Sequence, residues 1–157
     1  MVDTLVVHCI SLPPGDYGGN NVEAFFCNCL DPTAHDYFQG IWRQRVSSHF
    51  LIRRDGELAQ FVPTHRRAWH AGESLLDGRP DVNDFSLGVE LEGTDDSAFE
   101  PPQYATLIRL TRTLLRCYPA LRMERLVGHS DIAPGRKTDP GTGFDWARYR
   151  HGIVDNA

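Results

Sequence analysis

Lysine is almost absent from this chain. Of its 16 Lys and Arg residues, all but Lys137 are arginine. A solubilising surface charge is therefore a thin explanation for the one lysine. Cysteine is sparse and shows no C-x-x-C spacing: Cys9, Cys27, Cys29 and Cys117 stand alone or two apart. That pattern excludes a zinc knuckle and a thioredoxin-like redox motif. A chain of 157 residues with 41% hydrophobic content builds its own core without disulfide staples, so the cysteines are expected to be reduced and mostly buried. No stretch approaches the roughly 18 apolar residues of a membrane span. The opening "MVDTLVVHCISLPPG" has no basic segment and too short an apolar run for a secretory signal. The expectation is a cytoplasmic monomer away from membranes. A formal net charge of -5 argues against a nucleic-acid partner, while leaving room for a locally basic site that takes a small anionic substrate. Repeats, low-complexity tracts and linkers are missing too, so residues 1–157 read as one domain.

What is present alternates between strand and helix patterns. "TLVVHCISL" is a short β-branched apolar run closed by Pro13-Pro14-Gly15, which predicts a buried strand. His8 then shares a face with Val6 and Ile10, and Cys9 points the other way. "NNVEAFFCNCL" predicts a short helix carrying Cys27 and Cys29. "VSSHFLIRRDGELAQFVP" predicts a hairpin turning at Arg54-Asp55-Gly56, and "FSLGVELEG" another central strand. "PPQYATLIRLTRTLLRCYP" is the clearest helix, with Tyr104, Leu107, Ile108, Leu114 and Leu115 at helical spacing. "RLVGHSDI" reads as a last strand and "FDWARYR" as a closing helix. The mixture predicts an α/β (α+β) fold, a mixed central sheet flanked by helices.

Several residues could carry chemistry. A histidine inside an apolar strand, such as His8, is either bonded to a backbone carbonyl or a metal ligand. His129 sits before the glycine- and proline-rich loop "GHSDIAPGRKTDPG", and Asp139 lies within it. Two histidines and one carboxylate make a three-ligand zinc set with a fourth position open to water, provided the fold brings His8 to the other two. Glu90 and Glu92 share one strand face. They are an exposed edge, or a cleft wall in which one carboxylate serves as general base. Lys137, two residues before Asp139, could stabilise an oxyanion or simply be solvated. Trp69 and His70 in "RAWHAG" line a pocket or pack a corner. His49 reads as a satisfied strand histidine, and His65 and His151 as surface residues.

Taken together, "VVHCISLPPG", "RVSSHFLIRRDGELAQFVP", "RAWHAG", "NDFSLGVELEGTD" and "GHSDIAPGRKTDPG" resemble the N-acetylmuramoyl-L-alanine amidases of the peptidoglycan recognition protein-like family, in order and over nearly the whole chain. The resemblance implies one Zn2+ on His8, His129 and Asp139, Glu90 as general base and Lys137 as transition-state stabiliser. It implies a substrate pocket including Tyr37, Arg45, Trp69, His70 and Arg136. The implied substrate is a recycled anhydromuropeptide, cut between the lactyl carbonyl and L-alanine. Two positions depart from the family pattern: Cys9, where relatives often carry Asn, and Asp81, near which they often carry Arg. The alternative on the same fold is a non-catalytic peptidoglycan-fragment binding module. Such modules typically lack part of the zinc set, which is complete here. A structural zinc site would need a fourth ligand, and Cys9 is aimed away.

Overall fold

The computed structural model describes residues 1–155. Its centre is a five-stranded mixed sheet. Strand β1 (Thr4–Ile10) is followed by helices α1 (Asn21–Phe26) and α2 (Asp36–Gln39). A hairpin of β2 (Phe50–Ile52) and β3 (Leu58–Gln60) comes next. A second, two-stranded hairpin, β4 (Leu75–Leu76) with β5 (Arg79–Pro80), stands apart from the main sheet. Then come β6 (Ser86–Glu92), α3 (Pro101–Cys117), β7 (Leu126–Gly128), α4 (His129–Ile132) and α5 (Trp146–Val154). The strand order is β3-β2-β6-β1-β7. The β2/β6, β6/β1 and β1/β7 pairs are parallel, and only the β2/β3 edge is antiparallel.

The two central strands are buried along nearly their whole length because both faces of the sheet are covered. One face carries Leu5, Val7, Leu87, Val89 and Leu91 against Leu107 and Leu114 of α3 and Tyr149 and Ile153 of α5. Two buried hydroxyls, Thr111 and Tyr149, bond to each other at 2.6 Å where α3 meets α5. The prolines open α3, and Gln103 ties its first turn to the sheet. Its amide donates to the carbonyls of Ile52 and Glu92, while its oxygen accepts from Glu100 N–H. The opposite face is split. Leu51 joins a cluster with Val22, Phe25, Phe26 and Phe38, and Val6 joins another with Ala71, Val82, Phe85 and Ile132. Between the two clusters the sheet presents polar side chains. Among the described residues, no helix is long and apolar enough to cross a membrane.

Three sequence expectations are corrected. The last strand stops at Gly128, and His129 opens a helix instead, because Asp131 accepts from the Gly128 N–H at 2.7 Å and caps a new turn. Helix α1 stops at Phe26, since Asn28 adopts a positive φ of 60°, so Cys29 is not helical. The cysteines are not mostly buried: Cys27, Cys29 and Cys117 are exposed, and only Cys9 is partly covered. Cys9 packs on the α3 side of the sheet, where burial pushes its thiol pKa up.

Candidate active site

The site forms where three parallel strands end, the position at which open α/β sheets place ligands. His8 lies near the end of β1 and Glu90 near the end of β6, and the two are register partners. Leu51 of β2 pairs with Glu90 in turn, giving one row of Leu51, Glu90 and His8 across the sheet. Gly128 pairs with Val7, so His129 emerges beside His8. Asp139 returns through the loop after α4, and its carbonyl is held by Ser130 N–H at 3.0 Å.

Three polar atoms meet there. His8 Nδ1 lies 3.0 Å from His129 Nδ1 and 3.1 Å from Asp139 Oδ2, and His129 Nδ1 is 3.1 Å from the same oxygen. These contacts cannot all be hydrogen bonds. His129 Nε2 is 2.9 Å from the Ala71 carbonyl, which can only accept. A singly protonated ring there carries its proton on Nε2 and leaves Nδ1 bare. Burial, only partly countered by the neighbouring Asp139, pushes the His8 pKa down to about 4. Burial would raise the Asp139 pKa, but the two imidazoles packed against its carboxylate outweigh it and hold the carboxyl well below the usual range. Two imidazole nitrogens and a carboxylate oxygen thus converge in a group that could hold a metal ion. The 3.0–3.1 Å edges suit atoms of a tetrahedral zinc shell, whose edges are about 3.3 Å when bonds are about 2.0–2.1 Å.

Beside it, Glu90 is buried, and its Oε2 has no hydrogen-bond partner among the described residues. Burial and the Asp139 charge raise its pKa well above the ordinary carboxylate value, against the pull of Lys137. Glu92 is buried as well, so this strand face is not an exposed edge. Its oxygens accept from Gly18 N–H at 2.6 Å and Arg54 N–H at 3.1 Å, with Arg53 at 3.7 Å. Lys137 is exposed and makes no ion pair among the described residues.

An open cleft of about 560 Å³ joins these groups, lined by His8, Glu90, His129, Lys137 and Asp139 and walled by Tyr37, Trp69, His70 and Arg136. Tyr37 and Trp69 are 43% and 55% exposed, so both rings offer surface to a ligand, although the Arg67 guanidinium lies over the Trp69 ring, 4.1 Å from its centroid. The Arg136 guanidinium is already tethered, donating to the carbonyls of Ala71 at 2.7 Å and Glu73 at 2.5 Å. Arg45 is exposed, between the lining residues Gln44 and Val46, but does not itself line the cleft. Asp81 is exposed with a positive φ of 55° and lies outside the lining, whereas Cys9 does reach it. A wider hollow of about 1000 Å³ adjoins across Lys137 and Thr138 and contains none of the three converging ligands.

Sequence reading missed Asn83 and Ser86, which hold the wall behind the histidines. The available signal was Gly88 inside a strand pattern, since an interior strand glycine marks a close approach. A Cβ there would lie 2.5 Å from the His70 ring. His49 is a satisfied strand histidine, with Nε2 at the Arg66 carbonyl and Nδ1 accepting from Gly88 N–H. His65 and His151 are exposed.

Residues 1–142 match the family described as N-acetylmuramoyl-L-alanine amidase. The 1,6-anhydro-N-acetylmuramyl-L-alanine amidase AmpD of Escherichia coli (strain K12) is 56% identical over 146 residues, 93% of this chain and 79% of its own length. A crystal structure of a Se-Met AmpD derivative superposes with a TM-score of 0.95 at 54% identity, covering 97% of this chain and 84% of that one. The amidase AmiD from E. coli, solved with anhydro-N-acetylmuramic acid-L-Ala-D-gamma-Glu-L-Lys as its substrate, gives a TM-score of 0.74 at 30% identity, over 96% of this chain and 57% of that one.

Proposed function

The chain belongs to the N-acetylmuramoyl-L-alanine amidase family, and from that premise we propose a zinc mechanism in which His8, His129 and Asp139 hold the metal, Glu90 moves protons and Lys137 stabilises charge. The activity is that of a 1,6-anhydro-N-acetylmuramyl-L-alanine amidase of cell-wall muropeptide recycling. The bond cut joins the lactyl carbonyl of the muramic acid to L-alanine. The observation that carries the metal reading is the convergence of two imidazole nitrogens and one carboxylate oxygen beside a buried carboxylate whose Oε2 is unpartnered among the described residues.

Zinc held there would supply a Lewis acid and would bring the pKa of a water it binds to about 7. The rest falls to the chain. Glu90 accepts the proton of the attacking water and later delivers a proton to the leaving amine of L-alanine. Its buried position beside the three converging groups, with Oε2 unpartnered among the described residues, suits it to both transfers. Lys137 faces the developing negative charge on the former carbonyl oxygen, a role suited to an ammonium not already engaged. Tyr37 and Trp69 cover the substrate, and Arg136, fixed by two carbonyls, presents a cationic edge to it. Arg45 can contribute only to a part of the substrate that extends beyond the cleft.

The proposal extends to one Zn2+ per chain, residues 1–157 as one catalytic domain, and a cytoplasmic monomer acting on anhydromuropeptides. The test is metal analysis of protein purified without chelators, alongside release of peptide from a 1,6-anhydro-N-acetylmuramoyl peptide. About one zinc per chain and chelator-sensitive peptide release are expected. Binding of the muropeptide without release would favour a binding module.

A further inference from the structure

We propose that the His70–Ala71 dipeptide is one outer bracket that orients both metal-binding imidazoles, with His70 acting through His8 as a positioning residue. This rests on the metal reading above. It assigns His70 a different task from the substrate contact that the family resemblance implies.

The two residues reach the two ligands in different ways. The His70 ring meets the His8 ring edge-on at 80°, with His70 Nδ1 2.9 Å from His8 Nε2. The Ala71 carbonyl receives His129 Nε2–H at 2.9 Å. For His8 to offer a bare Nδ1 to a cation, its proton must sit on Nε2 and be donated to His70 Nδ1. His70 must then carry its own proton on Nε2, where Ser86 Oγ lies 3.2 Å away. Both ring nitrogens of His70 are thereby engaged by protein atoms, and neither is left for a substrate.

The bracket is itself held. Asn83 Oδ1 accepts from the backbone N–H of His70 at 3.0 Å and of Ala71 at 2.9 Å. Gly88 provides the seat, because any Cβ there would overlap the His70 ring. Outer partners of this kind fix the tautomer and aim of a ligating imidazole, and their loss typically costs about 10- to 100-fold in metal affinity. Here one dipeptide serves two ligands that lie 121 residues apart.

The test is zinc affinity of the full chain by competition with a chromophoric chelator, with apo-protein folding followed by circular dichroism. His70→Phe keeps a ring and removes the acceptor, and should bind zinc about 10- to 100-fold more weakly. His70→Asn can place its Oδ1 near the Nδ1 position and should recover most of that loss. Equal affinity for wild type and His70→Phe would overturn the bracket, as would equal weakening by Phe and Asn, which would mean packing alone. Should His70→Phe not fold, ring nitrogen NMR of zinc-loaded wild type decides. Protons on Nε2 of both His8 and His70 support the relay, and a proton on His70 Nδ1 overturns it. Wild type that takes up no zinc would sink the metal reading and this inference with it, an outcome distinct from zinc binding that ignores residue 70.

Discussion

Glu90 and Glu92 project from the same face of one buried strand, two residues apart, and only Glu92 is tied down. Loop and turn N–H groups, with Arg53 alongside, hold its carboxylate, while Glu90 Oε2 has no partner among the described residues. Glu90→Ala should keep its zinc and its fold and lose roughly two to four orders of magnitude in turnover, the range for general acid–base work. Glu92→Ala should leave the catalytic groups in place but strip two N–H groups of their acceptor, costing about 1–3 kcal/mol of stability. Turnover and urea midpoints of the two variants separate these roles. A dead Glu92→Ala with an active Glu90→Ala would exchange them.

The buried carboxyl of Glu90 also has a stability consequence. Its folded pKa is raised, so the folded state keeps a proton that the unfolded chain releases above about pH 4.3. Folding stability is therefore lost as pH rises from there toward the folded pKa. In metal-free protein, Glu90→Gln should raise the melting midpoint at pH 8 by on the order of a few degrees, and should change it little at pH 4. A pH-independent difference between variant and wild type would show that Glu90 is not held protonated.

Lys137→Met should retain zinc, because no ligand is touched, and lose about 100- to 1000-fold in kcat, as expected for removal of one oxyanion donor. KM should move little if it reports substrate dissociation. Lys137→Arg should rescue only in part, since a planar fork is a poor substitute for a point charge. Normal kcat with a raised KM would make Lys137 a substrate clamp instead.

His129→Ala or a strong chelator should abolish peptide release. Zinc in excess of Kd should raise the wild-type melting midpoint and leave that of His129→Ala nearly unmoved, because a ligand stabilises only the fold that binds it. Equal zinc-induced shifts in both proteins would locate the metal elsewhere.

Gly88→Ala adds one methyl that must displace the His70 ring or the strand. Overpacking of this kind costs about 1–3 kcal/mol, and zinc affinity should fall with it. An unchanged melting midpoint and unchanged affinity would show that the ring has room to move.

The sequence alone determined the central strands, the long helix opened by Pro101 and Pro102, and the residue types of the chemistry. Period-two and helical patterns are local, and a histidine in an apolar strand is conspicuous wherever it lies. Tertiary structure decided the rest. His8, Glu90 and His129 converge only because β1 lies between β6 and β7 in parallel register, a pairing that no local pattern encodes. Alternation cannot tell Glu90 from Glu92, or say whether His70 faces substrate or another histidine. Those assignments depend on which loop backbone, arginine or hydroxyl packs opposite each side chain. Burial makes the difference decisive, because in a site shielded from water a carboxylate or imidazole takes its character from the one or two partners the fold supplies.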